Sequence, residues 1–230
     1  MGPYILHIET STKICSVALS DGMECIAVAE DSNGDHTLVL NDLIRAVMTK
    51  ANIKLKQLHA ISVNEGPGSY TALRIGVVTA KGISYALDKP LILVSGLKMI
   101  ARAARDLMPG FQYYVSMIDA RRDEVYMAVY NEDLVQSRPP EAVILNNELL
   151  SSLGLTNNQC VITGNGALKW GQYIDNWQPK LVNLNISAIQ MIPLAYEQFE
   201  ANDFTKTELA IPFYLKLPNI TTPNEKFITR

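Results

Sequence analysis

The chain has 230 residues, of which 48% are apolar and 19% are charged, a composition typical of a globular protein and unlike that of a disordered or fibrous chain. Its apolar runs are far shorter than the roughly 20 residues that a membrane-spanning helix needs. The formal net charge of −3 argues against tight RNA binding by this chain alone, because phosphate contacts require a basic surface.

The N-terminus and the cysteines indicate where the protein works. The opening MGPYILHIETS lacks a basic region and a small-residue cleavage site, so we predict a strand there and no signal peptide. Three cysteines, without C-x-x-C spacing, predict reduced thiols and neither disulfides nor a zinc site. We therefore expect a cytoplasmic protein that does not associate with membranes.

The first half of the chain predicts three strands followed by alternating helices and strands. The predicted strands are Tyr4–Glu9, Cys15–Ser20, Glu24–Glu30, Ala60–Asn64 and Leu91–Ser95, and the predicted helices are about Thr37–Ala51, Ser69–Leu87 and Leu97–Met108. This order predicts an α/β fold with helices packed on a mixed sheet.

The second half repeats the beginning of the first. YILHIETSTKICSVALSD aligns with YYVSMIDARRDEVYMAVYN, which places Glu9 on Asp119, and the GPG of Gly66–Gly68 has a rough counterpart in the GNG of Gly164–Gly166. Two similarities in the same order predict a duplicated domain. We place the boundary near Pro109, with an N-terminal lobe at 1–109 and a C-terminal lobe with a surface tail at 110–230.

Each half carries a carboxylate at the end of its first strand and a Gly-rich segment before a helix. In a nucleotide clamp, backbone amides and helix N-termini hold phosphates while carboxylates orient a metal ion. The candidate residues for a weak, vestigial nucleotide site are Glu9, Gly66, Gly68, Ser69 and Asp119. The sequence leaves a structural alternative open, in which GPGS is a tight turn with a serine cap and both carboxylates are turn or cap residues.

No catalytic centre can be recognised in the sequence. No two of the three histidines have the three- or four-residue spacing that puts two ligands on one helix face. The chain also lacks a G-x-S-x-G elbow and a G-x-x-x-x-G-K-[ST] loop. We therefore assign no catalytic residue and no metal ligand.

The helix that follows GPGS is small or apolar nearly all round, which predicts burial on nearly every side. The core stripe of this helix consists of Leu73, Val77, Ala80, Ser84 and Leu87. We expect the opposite side to be covered by another protein. The predicted partner interface consists of Val39 and Ala46 on the preceding helix together with Ala72, Gly76, Thr79 and Ala80. The alternative is that the second half of the chain covers both helices.

Four segments of the chain resemble the TsaB (YeaZ) family, and they occur in the same order along nearly the whole chain. They are ILHIETSTKICSVAL, GPGSYTALRIGVVTAKG, DARRDEVY and the late YLK. The resemblance implies a duplicated actin-like ATPase fold (ASKHA, ribonuclease H-like) with two lobes, each a mixed sheet flanked by helices, and a reduced C-terminal lobe. It also implies a role in forming threonylcarbamoyladenosine beside the anticodon of tRNA.

The resemblance implies specific partners. TsaB proteins are non-catalytic partners that stabilise and activate the paralogous transferase TsaD, with the ATPase TsaE in the larger complex. A homodimer is expected when the chain is alone, contact with tRNA is expected to be indirect, and ATP or ADP is expected only in the complex. The alternative within the same superfamily is an ATPase or glycoprotease-like enzyme.

A comparison with TsaD favours the non-catalytic role. Two histidines in the NHMEGH motif of TsaD bind its catalytic metal. Aligned on PLILVSGLKMIA, they fall on Gly96 and Ile100, whose side chains cannot coordinate a metal.

Overall fold

The computed structural model describes residues 2–33, 35–146, 148–156, 158–170 and 180–216. The end of the predicted surface tail, residues 217–230, lies outside this range. The strands are β1 (Tyr4–Glu9), β2 (Cys15–Asp21), β3 (Glu24–Asp31), β4 (Ala60–Gly66), β5 (Leu91–Ser95), β6 (Tyr113–Asp119), β7 (Glu124–Asn131), β8 (Gln136–Ile144), β9 (Cys160–Thr163) and β10 (Lys180–Val182). The helices are α1 (His36–Ala51), α2 (Tyr70–Leu87), α3 (Gly96–Leu107), α4 (Leu149–Leu153), α5 (Ala167–Trp170) and α6 (Ile192–Glu200).

The described strands form two five-stranded sheets with the same topology. The first has the order β3-β2-β1-β4-β5, and the second, taken in the same direction, has the order β8-β7-β6-β9-β10. In both, the central strand is antiparallel to the strand that follows it and parallel to the first strand after the hairpins. The predicted duplication is thereby confirmed. The described part of the second lobe is smaller, because α4 has five residues whereas α1 has 16.

Alternation along the strands places helices on both faces of the first sheet. Leu6 and Ile8 of β1 pack in one hydrophobic cluster with the apolar side chains of α1 and α2. Ile5 belongs to a second cluster, which contains α3, α6 and residues of both sheets. This second cluster forms the core that joins the two lobes.

The predicted elements of the first half are all present, with ends that differ by one or two residues. For example, α2 begins at Tyr70 with Ser69 as its N-cap residue, and β4 continues to Gly66. From the second half, α6 packs on β5 of the first sheet. The boundary near Pro109 stays a prediction. Among the described helices, none combines the length and the hydrophobicity that a membrane span requires.

Candidate functional site

The carboxylate at the end of β1 is buried. Glu9 is fully inaccessible to solvent, and it accepts hydrogen bonds from the backbone amide of Ser11 at 2.5 Å and from the side-chain amide of Asn64. Burial raises the pKa of Glu9, and the bonds from Ser11 and Asn64 oppose that rise. Glu9 is therefore enclosed by groups of its own chain.

Asn64 connects three segments around this carboxylate. Its side-chain nitrogen also donates to Ser11 Oγ at 3.2 Å, and its side-chain oxygen accepts from the amide of Gly66 at 2.8 Å. Strand β1, the turn after it and the Gly-rich loop are thus held by one buried amide. A buried polar network of this kind is stable only when its members are all paired.

The glycines of the GPGS loop allow close contact with the chain's own backbone. A Cβ on Gly66 (φ +122°) would lie 2.7 Å from the carbonyl oxygen of Phe213, and one on Gly68 would lie 2.4 Å from that of Ser11. The amide of Ser69 donates to the same Ser11 oxygen at 2.8 Å. The amides of Gly66 and Ser69 are therefore used within the chain. These contacts favour the tight-turn interpretation, although the Ser69 side chain makes no capping hydrogen bond to α2. A nucleotide role for the loop stays a prediction.

The carboxylate at the end of β6 has a different environment. The Asp119 side chain is 40% exposed and pairs with Lys169 Nζ at 2.5 Å. It also accepts from the amide of Arg121 at 2.6 Å, while the Asp119 amide donates to Asn165 Oδ1 at 2.9 Å. Of the five predicted nucleotide-site residues, the structure therefore joins Glu9, Gly66, Gly68 and Ser69 through Ser11 and Asn64, and places Asp119 in a separate network.

The positions that correspond to the TsaD metal ligands are filled by packing. Gly96 is buried at the start of α3, where a Cβ would lie 2.8 Å from the side-chain nitrogen of Asn64. Ile100 is 2% exposed and belongs to the core between the sheets. The residues at these positions do not fit a metal ion, and nowhere in the described ranges do three or more His, Cys, Asp or Glu side chains assemble as a ligand set.

Three residues of the predicted partner interface are not exposed at the surface of the chain, and the prediction is wrong for them. Ala72, Gly76 and Ala80 are buried inside the chain, and a Cβ on Gly76 would lie 2.3 Å from Thr10 Oγ1. The turn after β1 therefore packs on this side of α2. A helical wheel gives the angle between residues but not which side a distant turn will cover, and for that reason the prediction chose the wrong face.

The other predicted interface residues are not enclosed in this way. Val39 is half-buried and packs on the α1–α2 cluster, whereas Ala46 is exposed on α1 and Thr79 is half-exposed on α2. Residues 207–214 cover one flank of α2, where Lys81 donates to the carbonyls of Glu208 and Ala210. The alternative that the second half covers these helices holds for that flank.

The exposed face of α2 lies opposite its buried face. We call it the outer face, and it consists of Thr71, Arg74, Val78, Gly82, Tyr85 and Ala86. Val78 is 67% exposed and Tyr85 is 85% exposed. A Cβ on Gly82 would meet no atom of the described chain within 4 Å. The partner interface predicted from the sequence does not include this face, although the i, i+4, i+7 spacing of Val78, Gly82 and Tyr85 was a usable signal.

Comparisons with known proteins identify the family. The family model described as TsaD, tRNA N6-adenosine threonylcarbamoyltransferase, matches residues 27–212. The chain belongs to this family. Within it the chain resembles the tRNA threonylcarbamoyladenosine biosynthesis protein TsaB of Escherichia coli K12, with 29% identity over 222 residues that cover 92% of this chain and 94% of the relative. The predicted TsaB (YeaZ) membership is thereby confirmed.

Solved structures confirm the predicted fold. YeaZ from Pseudomonas aeruginosa superposes with a TM-score of 0.80 at 25% identity, covering 93% of this chain and 100% of that one. The activator of the 2-hydroxyisocaproyl-CoA dehydratase from Clostridium difficile, solved with bound ADPNP, superposes with a TM-score of 0.56 at 10% identity over 87% of this chain and 97% of that one. The second likeness concerns the fold alone, which is the duplicated actin-like ATPase fold.

Proposed function

We propose that the chain is a non-catalytic subunit that binds, stabilises and activates TsaD in the formation of threonylcarbamoyladenosine on tRNA. Its membership in the TsaD family and its likeness to TsaB along 92% of its length support this role. The observation that carries the non-catalytic part is the replacement of the expected metal ligands by Gly96 and Ile100, both of which are buried in packed surroundings.

The outer face of α2 is the surface that best fits a partner. Glycine inside a helix costs about 1 kcal/mol relative to alanine, and the packing of the described residues gives no reason for one at Gly82. A second helix that approaches closely would supply that reason. Val78 and Tyr85, one turn on either side, would provide the apolar contacts that the centre of a stable interface needs.

The proposal extends to the rest of the assembly. We propose that the free chain forms a homodimer through the same outer face, with Ala46 and Thr79 at its border, and that TsaD replaces the second copy. TsaE joins the larger complex, tRNA contacts this subunit only indirectly, and ATP or ADP is held in the complex and not by this chain alone. The three free cysteines support a cytoplasmic setting.

A charge on the outer face tests the proposal. Val78→Glu should abolish TsaD binding in a calorimetric titration, because an unpaired carboxylate buried in an interface costs several kcal/mol. The matched control is Ile144→Glu, which places the same charge on an exposed apolar residue of β8 in the other lobe. Size measurement of the free proteins would show whether Val78→Glu also removes the homodimer.

The outcomes separate the surface from the role. If Val78→Glu binds TsaD as tightly as the unchanged chain, the outer face is not the partner surface. If the unchanged chain itself fails to bind TsaD, the proposed role is wrong.

A further inference from the structure

A segment near the C-terminus runs along α2 and on toward the second lobe. We call residues 207–216 the strap. Its first part is fixed to α2: Ser84 Oγ lies 2.9 Å from Thr207 Oγ1, and Lys81 Nζ donates to the carbonyls of Glu208 at 3.3 Å and Ala210 at 2.8 Å. Ala210 is buried in the α1–α2 cluster. The start of the strap is therefore part of the core of the first lobe.

The middle of the strap rests on the Gly-rich loop. The amide of Phe213 donates to the carbonyl of Glu65 at 2.7 Å, and the Phe213 carbonyl occupies the space beside Gly66 that a side chain would fill. Beyond it the Tyr214 ring packs on Tyr70 with centroids 4.5 Å apart, and its hydroxyl accepts from Arg74 Nε at 3.1 Å. These contacts cover the loop from outside.

The last described residue of the strap reaches the second lobe. Lys216 forms an ion pair with Glu124, the first residue of β7, immediately after the turn that follows Asp119. Both side chains are partly exposed, at 36% and 26%. One segment thus contacts α2, the loop at the end of β4 and the β6–β7 turn in sequence.

We propose that the strap is a reversible latch between the two lobes. When it is seated, it covers the Gly-rich loop and ties this loop to the β6–β7 turn. When it is released, the loop and the turn are no longer connected on this side of the molecule. The inference depends on these intrachain contacts and not on the binding of TsaD.

The contacts indicate the order of release. The start of the strap is anchored by buried Ala210 and two bonds to Lys81. Its last described residues are held by one backbone bond from Phe213, by the surface contacts of Tyr214 and by a partly exposed ion pair. Exposed ion pairs are weak and are screened by salt. The latch should therefore open from Lys216 backward, with residues 211–216 leaving first and residues 207–210 staying in place.

Charge reversal and hydrogen–deuterium exchange of the full chain test the latch. Lys216→Glu should accelerate exchange in residues 211–216 about fivefold, which corresponds to the loss of about 1 kcal/mol, and should leave residues 207–210 unchanged. The double variant Lys216→Glu/Glu124→Lys restores an ion pair of opposite direction and should return exchange to the original rate. Lys54→Glu, on an exposed lysine elsewhere, serves as the control.

A backbone variant tests the second anchor independently. Phe213→Pro removes the amide that donates to Glu65 and should accelerate exchange of both the strap and residues 65–69 about fivefold, whereas Phe213→Ala keeps that amide and should not. The latch is overturned if residues 211–216 of the unchanged chain exchange as fast as an unstructured peptide. It is also overturned if Lys216→Glu has no effect, if the charge swap fails to restore protection, or if Phe213→Pro and Phe213→Ala behave alike.

Discussion

The two lobes share one topology, yet their first strands end in opposite environments. Glu9 at the end of β1 is buried and bonded to neutral groups of Ser11 and Asn64. Asp119 at the end of β6 is 40% exposed and pairs with Lys169. The same position of the fold therefore serves as core in one lobe and as surface in the other.

This difference shows that equivalent strand ends of a duplicated fold can be packed in different ways. In the first lobe, Asn64 fills the space beside Gly96, and the turn after β1 packs on α2 at Gly76. The strand end becomes part of the support for α2, whose outer face stays exposed. In the second lobe, the corresponding carboxylate of Asp119 lies at the surface and pairs with Lys169. Matched substitutions at the ends of β1 and β6 should therefore have different effects on stability.

The largest expected effect is at Asn64. Asn64→Asp removes the donor to Glu9 and places a second carboxylate beside a buried one, which should cost about 3–5 kcal/mol of stability at pH 7. Because burial already raises the pKa of Glu9, part of the loss should be recovered at pH 5, where the pair can hold a proton. Urea unfolding at both pH values measures this.

Asn165→Asp is the matched change in the second lobe, beside the exposed Asp119. It should cost less than about 1 kcal/mol, because water and Lys169 moderate the added charge. Equal losses for the two variants would show that the contrast between the strand ends has no energetic meaning.

His7 sharpens the contrast through its pH dependence. Its ring lies between Ser62 Oγ at 2.7 Å and Ser20 Oγ at 3.0 Å, and burial lowers the pKa of His7 from 6.5 to about 3. The unfolded chain therefore takes up this proton first as the pH falls. The contribution to stability is complete above pH 6.5 and is lost progressively toward pH 3.

Met117 stands at the corresponding position when the two halves are aligned, and it cannot titrate. Between pH 7 and pH 4.5 the unchanged chain should therefore lose about 2–3 kcal/mol of stability that His7→Met does not lose. Unfolding free energies of both proteins at the two pH values provide the comparison. An unchanged pH dependence in His7→Met would mean that His7 is not held neutral in the folded chain.

The smallest effect is expected at the open strand end. Asp119→Asn removes the ion pair with Lys169 but keeps an oxygen for the Arg121 amide. Urea unfolding should therefore show a loss of about 0–1 kcal/mol in the free energy of unfolding. A loss of several kcal/mol would place Asp119 in the same class as Glu9.

The sequence predicted the elements of the first half and the core stripe of α2 well. Leu73, Val77 and Ser84 are all buried, because the period of a helix and its contact with its own sheet are local properties. The aligned carboxylates Glu9 and Asp119 also predicted the duplication correctly.

What the sequence did not predict depends on long-range packing. Whether Gly76 faces solvent is decided by Thr10, more than 50 residues earlier. The burial of Glu9 likewise depends on Asn64, which had no distinguishing signal of its own. Gly82 was visible in the sequence, but only the structure shows that no atom of the described residues lies within 4 Å of a Cβ placed there.

The central claim is that this chain activates TsaD through the outer face of α2, and tRNA modification measures it most directly. A reaction reconstituted from purified TsaD, TsaE, the threonylcarbamoyl-adenylate synthase and tRNA should produce threonylcarbamoyladenosine with the unchanged chain or Ile144→Glu. With Val78→Glu the yield of threonylcarbamoyladenosine should fall to the level seen when the chain is omitted. Full modification with a folded Val78→Glu protein, or without the chain at all, would contradict the claim.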